Sequence, residues 1–379
     1  MAAFLLGAAG MFATMYSTQA ILPELGRSFN VTPAEAGLTI TVPVLALAAG
    51  AWAWGLFSDR YGRKRSIVLA SSLLVLPTIA VALAPSFPAL LALRGLQGVC
   101  MPGLLAVGVP YVAEVFAPQL GGAAMGYYVV ALVAAGLIGR LGVGVATAIV
   151  GWRWALGALA ALPLAAAVIM RVSLPDRPLP ARSAARRGAS WRLLRNPELL
   201  RAAATGGAIY FMFVGVFSYV VYRLEAPPFG YGTAVGSLVF LLWPLGLVGP
   251  LAGRLGDRVG WRSLALGAVA VAVCGLLLSL PSSAASLIVA LALVALGNFA
   301  GVTAAQLGVA SASAVDRGAA SAVYFSLYYA SGSLGGYLPG LAWEAWHWGG
   351  VALLSLGVLA TAAIVLLSSR DTASSRPRA

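Results

Sequence analysis

Apolar runs of about twenty residues return again and again along this chain, separated by short polar breaks. A run of that length spans the ~30 Å hydrocarbon layer as a helix. No water is present there to satisfy backbone polar groups, so the fold is restricted to helices bonded within themselves. The spans of the first half are predicted near Phe4–Leu22, Ala36–Phe57, Ile67–Leu83, Ala89–Val112, Gly122–Ile149 and Leu156–Met170. Those of the second fall near Ala202–Tyr222, Thr233–Leu251, Leu264–Leu280, Ala285–Ala304, Ala319–Leu341 and Val351–Leu367. A hydrophobic content of 61% and a mean hydropathy of +0.92 agree with a multi-pass membrane protein. The longest polar segment, Arg171 to Arg201, reads as a linker. The first span lacks a basic leader and the pattern continues past it, so it reads as retained rather than as a signal peptide.

The formal charge of +13 is spread over short inter-span loops, which argues for membrane topology and against nucleic-acid binding. With the N-terminus cytoplasmic, one side collects Arg60, Arg63, Lys64, Arg65, the Arg171–Arg201 group, Arg254, Arg258, Arg262, Arg317 and the C-terminal arginines. The other receives Arg27, Arg153 and Arg223. The positive-inside rule then places both termini in the cytoplasm and the chain in the inner (plasma) membrane. The basic linker can also touch anionic lipid. Trp152, Trp154, Trp343, Trp346 and Trp348 read as outer-interface anchors.

The chain is a duplication. Gly55, Asp59, Arg60 and Gly62 recur 198 positions later as Gly253, Asp257, Arg258 and Gly260. Gly122–Leu156 slides onto Gly318–Ala352 with an offset of 196, matching Tyr128 with Tyr324, Gly136 with Gly332, Gly139 with Gly335, Gly144 with Gly340 and Trp152 with Trp348. Two six-helix halves in one orientation suit a transporter rocking about a central site. The expected division is a bundle over 1–172, an Arg-rich linker over 173–200, a second bundle over 201–369 and a tail over 370–379.

The stretch "GLFSDRYGRKRS" after the second span resembles the signature loop of the major facilitator superfamily, as "RGLQG" (Arg94–Gly98) resembles a second signature in the fourth span. "GLIGRLGVG…GWRWAL" and "LPELGRSFNVTPAEAG" look most like the drug-efflux and arabinose-efflux-permease-like branch. The resemblance implies an all-α fold of 12 transmembrane helices in two six-helix bundles related by pseudo-twofold symmetry. It also implies a conformational latch of Gly55, Asp59, Arg60, Gly62, Arg63, Glu114, Asp257 and Arg258. In similar transporters the aspartate, here Asp59, faces the N-terminus of the eleventh helix, here near Arg317–Ala320, and pairs with the arginine at Arg63. The carboxylate at Glu114 completes the relay, which holds the halves together on the inner side when the carrier faces outward. The weaker copy has Trp261 in place of Arg63 and Ala310 in place of Glu114, so arginine and partner are missing together.

All eleven carboxylates fall at or near span ends or in loops, whereas Arg94 and Arg140 lie within the membrane. An intramembrane charge costs about 2.5–3.5 kcal/mol on insertion scales and invites a functional role. Antiporters of cationic drugs commonly carry a membrane carboxylate; here fixed positive charge stands instead, which favours an anionic or neutral amphipathic substrate. Either Arg140, with Arg94, meets a polar or anionic substrate group, or both arginines bond to carbonyls or Glu24 and organise the half. Tyr16, Gln19, Gln97, Tyr210, Phe217, Asn298, Gln306, Tyr324 and Tyr328 complete the cavity candidates, chosen as polar or aromatic positions on shared helix faces. Glu24, and Arg94 through its motif, are the proton-coupling candidates.

One histidine, two distant cysteines and no buried acid pair supply no catalytic or metal constellation, so no enzyme, metal or cofactor is expected. The leading reading is proton-coupled efflux of a small organic molecule by a monomer in the lipid bilayer. The alternatives are an organic-anion or sugar-type importer or uniporter, and a non-transporting receptor or lipid-handling protein on the same scaffold.

Overall fold

The computed structural model describes residues 1–116, 120–175, 193–312 and 317–368, in which no strand occurs. Eleven helices are long and apolar enough to cross a membrane. They are α1 (Ala2–Phe29), α2 (Pro33–Tyr61), α3 (Arg63–Ala82), α4 (Phe87–Phe116), α5 (Gly126–Val150), α6 (Trp152–Ser173), α7 (Pro197–Glu225), α8 (Thr233–Val259), α9 (Trp261–Leu278), α10 (Ala284–Ala312) and a last one over Ala319–Leu367. That last helix leaves helical geometry at Trp346 and His347, so it holds two crossings, α11 (residues 317–345) and α12 (residues 348–367). Twelve crossings place the first and last described residues on one side of the bundle, called here the terminal face.

Several helices outrun the apolar runs that announce them. α1 continues through Glu24 and Arg27, and α2 begins at Pro33, where Thr32 and Glu35 form a reciprocal capping box. α7 begins at Pro197, inside the segment expected as linker, because Asn196 accepts hydrogen bonds from the amides of Glu198 and Leu199. Hydropathy marks the hydrocarbon core, whereas capping sets where the helix ends. The remainder of the predicted linker (residues 176–192) and the tail at 370–379 lie outside the described residues.

The sequence repeat is a structural repeat. Gly62 (φ 97°, ψ 152°) and Gly260 (φ 85°, ψ 150°) adopt the same left-sided backbone between α2 and α3 and between α8 and α9, a conformation that only glycine adopts readily. Gly139 lies against the backbone of Ala13, and Gly335 makes the same close approach to the backbone of Phe211. Thus α5 packs on α1 as α11 packs on α7. Trp152 and Trp348 correct the reading of the tryptophans as interface anchors. Both are buried with Trp343, donating to Ser28 Oγ (3.0 Å) and Ser279 Oγ (2.9 Å), while only Trp154 and Trp346 project outward.

The two halves meet at mid-depth and on the face opposite the termini. α2 crosses α11 where Gly37 and Gly336 leave no room for a side chain. Thr41 Oγ1 donates to the Ser333 carbonyl at 2.5 Å, and Tyr219 OH, on α7, to the Pro33 carbonyl of α2 at 3.2 Å. The Ala34 amide donates to Glu344 at 2.9 Å, and Arg27 to Glu225 at 2.7 Å. Among the described residues no hydrogen bond or ion pair joins the halves near the terminal face, where Asp59 and Arg60 are exposed. The described contacts between the halves are concentrated at mid-depth and on the face opposite the termini.

Candidate functional site

Two buried arginines, 0% and 1% exposed, sit within the bundle without an acidic partner among the described residues. Their surroundings differ.

Arg94 of α4 answers a break in α1. Regular helix ends at Met15 and resumes at Leu22 after a tighter 3₁₀ segment, Ser17–Ile21, which strands carbonyl groups in the core. Arg94 Nη1 donates to Thr14 O (2.9 Å), Nη2 to Met15 O (2.6 Å) and Nε to Thr39 O of α2 (2.9 Å). Nη1 also reaches Gln97 Oε1 at 2.8 Å, and Gln97 in turn donates to Thr78 of α3 at 3.0 Å. The guanidinium fork is consumed in tying α1, α2 and α4 together, with α3 reached through Gln97.

Arg140 sits on α5 where the helix widens into π turns over Ile138–Gly142. Nη1 donates to the carbonyl of Gly136 (2.8 Å) and Nε to Gln19 Oε1 (2.6 Å). The Nη2 group and the second hydrogen on Nη1 make no hydrogen bond among the described residues. Aromatic rings surround the guanidinium instead: its carbon is 3.8 Å from the Trp243 ring centroid, 4.5 Å from Tyr16 and 5.8 Å from Phe240. Cation–π attraction offsets part of the desolvation cost without neutralising the charge.

This centre bridges the halves. Gln19 Nε2 donates to Ser218 Oγ of α7 at 2.9 Å, and the hydroxyls of Tyr16 and Tyr210 hydrogen-bond to each other. Tyr210 stacks on Tyr328 at 3.9 Å between centroids, with Tyr324 and Tyr329 alongside. Phe217 packs on Trp243 at 5.9 Å. Of the predicted cavity residues, Tyr16, Gln19, Arg140, Tyr210, Phe217, Tyr324 and Tyr328 gather here. Arg94 and Gln97 lie within the first half, Gln306 is exposed, and Asn298 is buried on α10 with its Oδ1 unpartnered. Trp243, Phe240, Ser218 and Tyr329 were not legible as members. The available signal was a tryptophan next to Pro244 in mid-span, far from either interface where tryptophan usually anchors.

Away from the centre, Arg63 Nε and Nη2 donate to the two oxygens of Glu114, each at 2.6 Å, a bidentate pair joining α3 to α4. Asp59 does not pair with Arg63 here; it is exposed, and Gly55 and Gly62 have open space beside them. The side chain of Arg317 lies outside what is described. Asp257 and Arg258 are exposed. Glu24 accepts from Arg27 at 2.7 Å on the face opposite the termini.

The model of the Major Facilitator Superfamily matches residues 4–336. A Bacillus subtilis protein described as an uncharacterized MFS-type transporter, YybF, is 31% identical over 357 residues, covering 92% of this chain and 88% of its own. The inner membrane transport protein YnfM of Escherichia coli is 32% identical over 362 residues, covering 93% and 86%. The crystal structure of the nucleoside transporter NupG shares the fold with a TM-score of 0.81 at 12% identity, over 96% of this chain and 98% of that one. Twelve crossings in two repeated halves, a centre built between them and these matches place the chain in the Major Facilitator Superfamily, as a membrane transporter rather than an enzyme.

Proposed function

We propose that the protein exports a small amphipathic organic anion, or a neutral compound with a strongly polar group, in exchange for protons across the inner membrane. The supporting observation is Arg140: a buried guanidinium with unused donors, aromatic walls and no carboxylate. An unpaired buried ion is costly, and a ligand carboxylate or similar group would occupy the free N–H groups in bidentate fashion. The rings would take the ligand's apolar body. Arg94 is sated by carbonyls and acts in this reading as the brace that fixes the shape of α1 around the site.

The terminal face is assigned to the cytoplasm by its basic loops, so the described state faces inward and both termini are cytoplasmic. The bundles over 1–172 and 201–369 rock as a monomer about the centre. In the outward-facing state Asp59 engages the N-terminus of α11, with Arg63 and Glu114 behind it, and Asp257 and Arg258 form the structural echo. Glu24, on the outer face, is the proposed proton acceptor.

The test is a thermal-shift screen of purified protein with size-matched organic anions, neutral amphiphiles and lipophilic cations, repeated with Arg140→Ala. Stabilisation by anions that disappears in the variant is the expected result; stabilisation by cations that ignores the variant overturns the substrate class. Everted vesicles then read direction: an imposed pH gradient drives uptake of the hit, and Glu24→Gln abolishes the dependence on the gradient. Uptake indifferent to pH favours the uniporter alternative.

A further inference from the structure

Among the described residues, Arg140 is held by two oxygens, and both are neutral. The Gly136 carbonyl accepts from Nη1 at 2.8 Å and Gln19 Oε1 from Nε at 2.6 Å. Gln19 is buried and reaches in two directions, since its Nε2 donates to Ser218 Oγ of α7 at 2.9 Å and to the Val214 carbonyl at 3.4 Å. The orientation of the amide is forced at both ends. A guanidinium only donates and a carbonyl only accepts, so the amide oxygen must face Arg140 and the nitrogen α7.

The break in α1 puts this side chain there. The Gln19 amide donates to the Tyr16 carbonyl at 3.0 Å, and in such a three-residue turn side chains three apart line up. Both then meet one guanidinium, Tyr16 through its ring at 4.5 Å and Gln19 through its oxygen. The second half has neither partner. The offset of 198 that equates Ala13 with Phe211 puts Phe217 at the place of Gln19, and the offset of 196 that equates Gly139 with Gly335 puts Gly336 at the place of Arg140. The fold of a half therefore does not demand the pair.

A glutamate at position 19 would have the same length and satisfy Nε equally well. It would also cancel the charge, and a residue serving only to brace a buried arginine would do best as that counter-ion. The amide supplies the hydrogen bond and leaves the charge unspent. We propose that Gln19 is the positioning residue that sets the charge selectivity of the centre: it fixes the guanidinium while reserving the positive charge for the cargo, so that a carboxylate is taken ahead of its own amide or amine. This assignment rests on the anion reading given above and narrows it.

The test titrates the whole purified protein with phenylacetate, phenylacetamide and phenethylamine, close analogues that differ chiefly in charge, and reads melting temperature with and without each probe. The parent should prefer phenylacetate. Gln19→Glu should bind phenylacetate about tenfold more weakly, lose the preference for acid over amide, and melt higher than the parent when unliganded, because Arg140 gains a counter-ion. A side chain that merely filled space would lower the melting temperature and leave the order of the probes alone. Gln19→Met, uncharged and of similar length, serves if the glutamate variant fails to fold: it should weaken phenylacetate yet keep it ahead of phenylacetamide, and loss of that order overturns the assignment. Phenylacetate bound equally by the parent and Gln19→Glu overturns the role of Gln19 and leaves the anion reading standing. A parent that prefers phenethylamine overturns the anion reading and the assignment with it. If the parent answers to none of the probes, the unliganded proteins decide: Gln19→Glu melting above the parent supports an uncompensated charge at the centre, and melting at or below it overturns the assignment.

Discussion

Arg27 and Glu225 stand 198 positions apart, the spacing that relates the two glycine-bounded turns, and their side chains meet at 2.7 Å on the face opposite the termini. Corresponding positions of two halves can touch only near the axis that relates them. This pair, with Glu24 on the same guanidinium, is a clasp set over the pseudo-twofold axis.

Breaking the clasp should loosen closure without unfolding the protein. An exposed pair contributes about 0–1 kcal/mol, so Glu225→Gln should raise the population open on that face by up to about fivefold. Spin labels at Pro85→Cys and Ser282→Cys, in loops of that face, would report a larger share of long distances. The exchange Arg27→Glu/Glu225→Arg should restore the original distribution. An unchanged distribution in Glu225→Gln would show that the clasp bears no load.

Gly37 and Gly336 predict a stronger effect. A Cβ on Gly37 collides with the Gly336 carbonyl, which belongs to backbone and yields little. Because the contact exists only while this face is shut, Gly37→Ala should leave a folded protein held open there, with transport reduced at least tenfold. The same spin labels separate this outcome from misfolding, which would show as lost expression in the membrane.

The two buried arginines should divide stability from ligand response. Arg94→Lys cannot reproduce a fork shared among Thr14, Met15, Thr39 and Gln97, and leaves buried carbonyls unsatisfied at about 1–3 kcal/mol each. Its melting temperature should fall by several degrees with or without ligand. Arg140→Lys should melt near the parent and lose most of the ligand-induced shift. Equal behaviour of the two variants in a thermal-shift experiment would erase the distinction.

Asp59→Asn should act in the opposite sense to opening the clasp. Asp59 is exposed in the state described, so its neutralisation leaves that state intact and weakens the other. Cysteines placed at the terminal-face end of α2 should stay reactive to a membrane-permeant alkylating reagent under conditions that close that face in the parent. Protection equal to the parent's would remove Asp59 from the latch.

Much of this architecture was legible because its causes are local. A twenty-residue apolar run and a glycine at positive φ at Gly62 and again at Gly260 each carry their reason within a few residues, while the glycines at 139 and 335 were legible through the repeat. The centre was legible in part: Arg140 was conspicuous as a charge in lipid-length sequence, and Tyr16, Gln19 and Tyr210 as polar marks on helix faces. That Trp243 would cover Arg140, or that Glu225 would meet Arg27, depends on how two separately packed halves are set against each other, which no local pattern encodes. The break in α1 left only a faint mark, the polar run Tyr16-Ser17-Thr18-Gln19 and Pro23 where the helix resumes, inside a span that otherwise reads as one helix.

The unneutralised charge of Arg140 has an electrical consequence. With a monoanion of the proposed kind bound, the Arg140 charge is neutralised, and reorienting the centre moves no net charge through the membrane field on its account; without the anion it carries one positive charge. A field of 100 mV acts on a full elementary charge with about 2.3 kcal/mol. Under the proposed exchange, voltage therefore acts on the anion-free return step, in which the Arg140 charge is exposed to the field alongside the exchanged proton, so a cell's membrane potential would set how fast the protein resets rather than how tightly it holds its cargo.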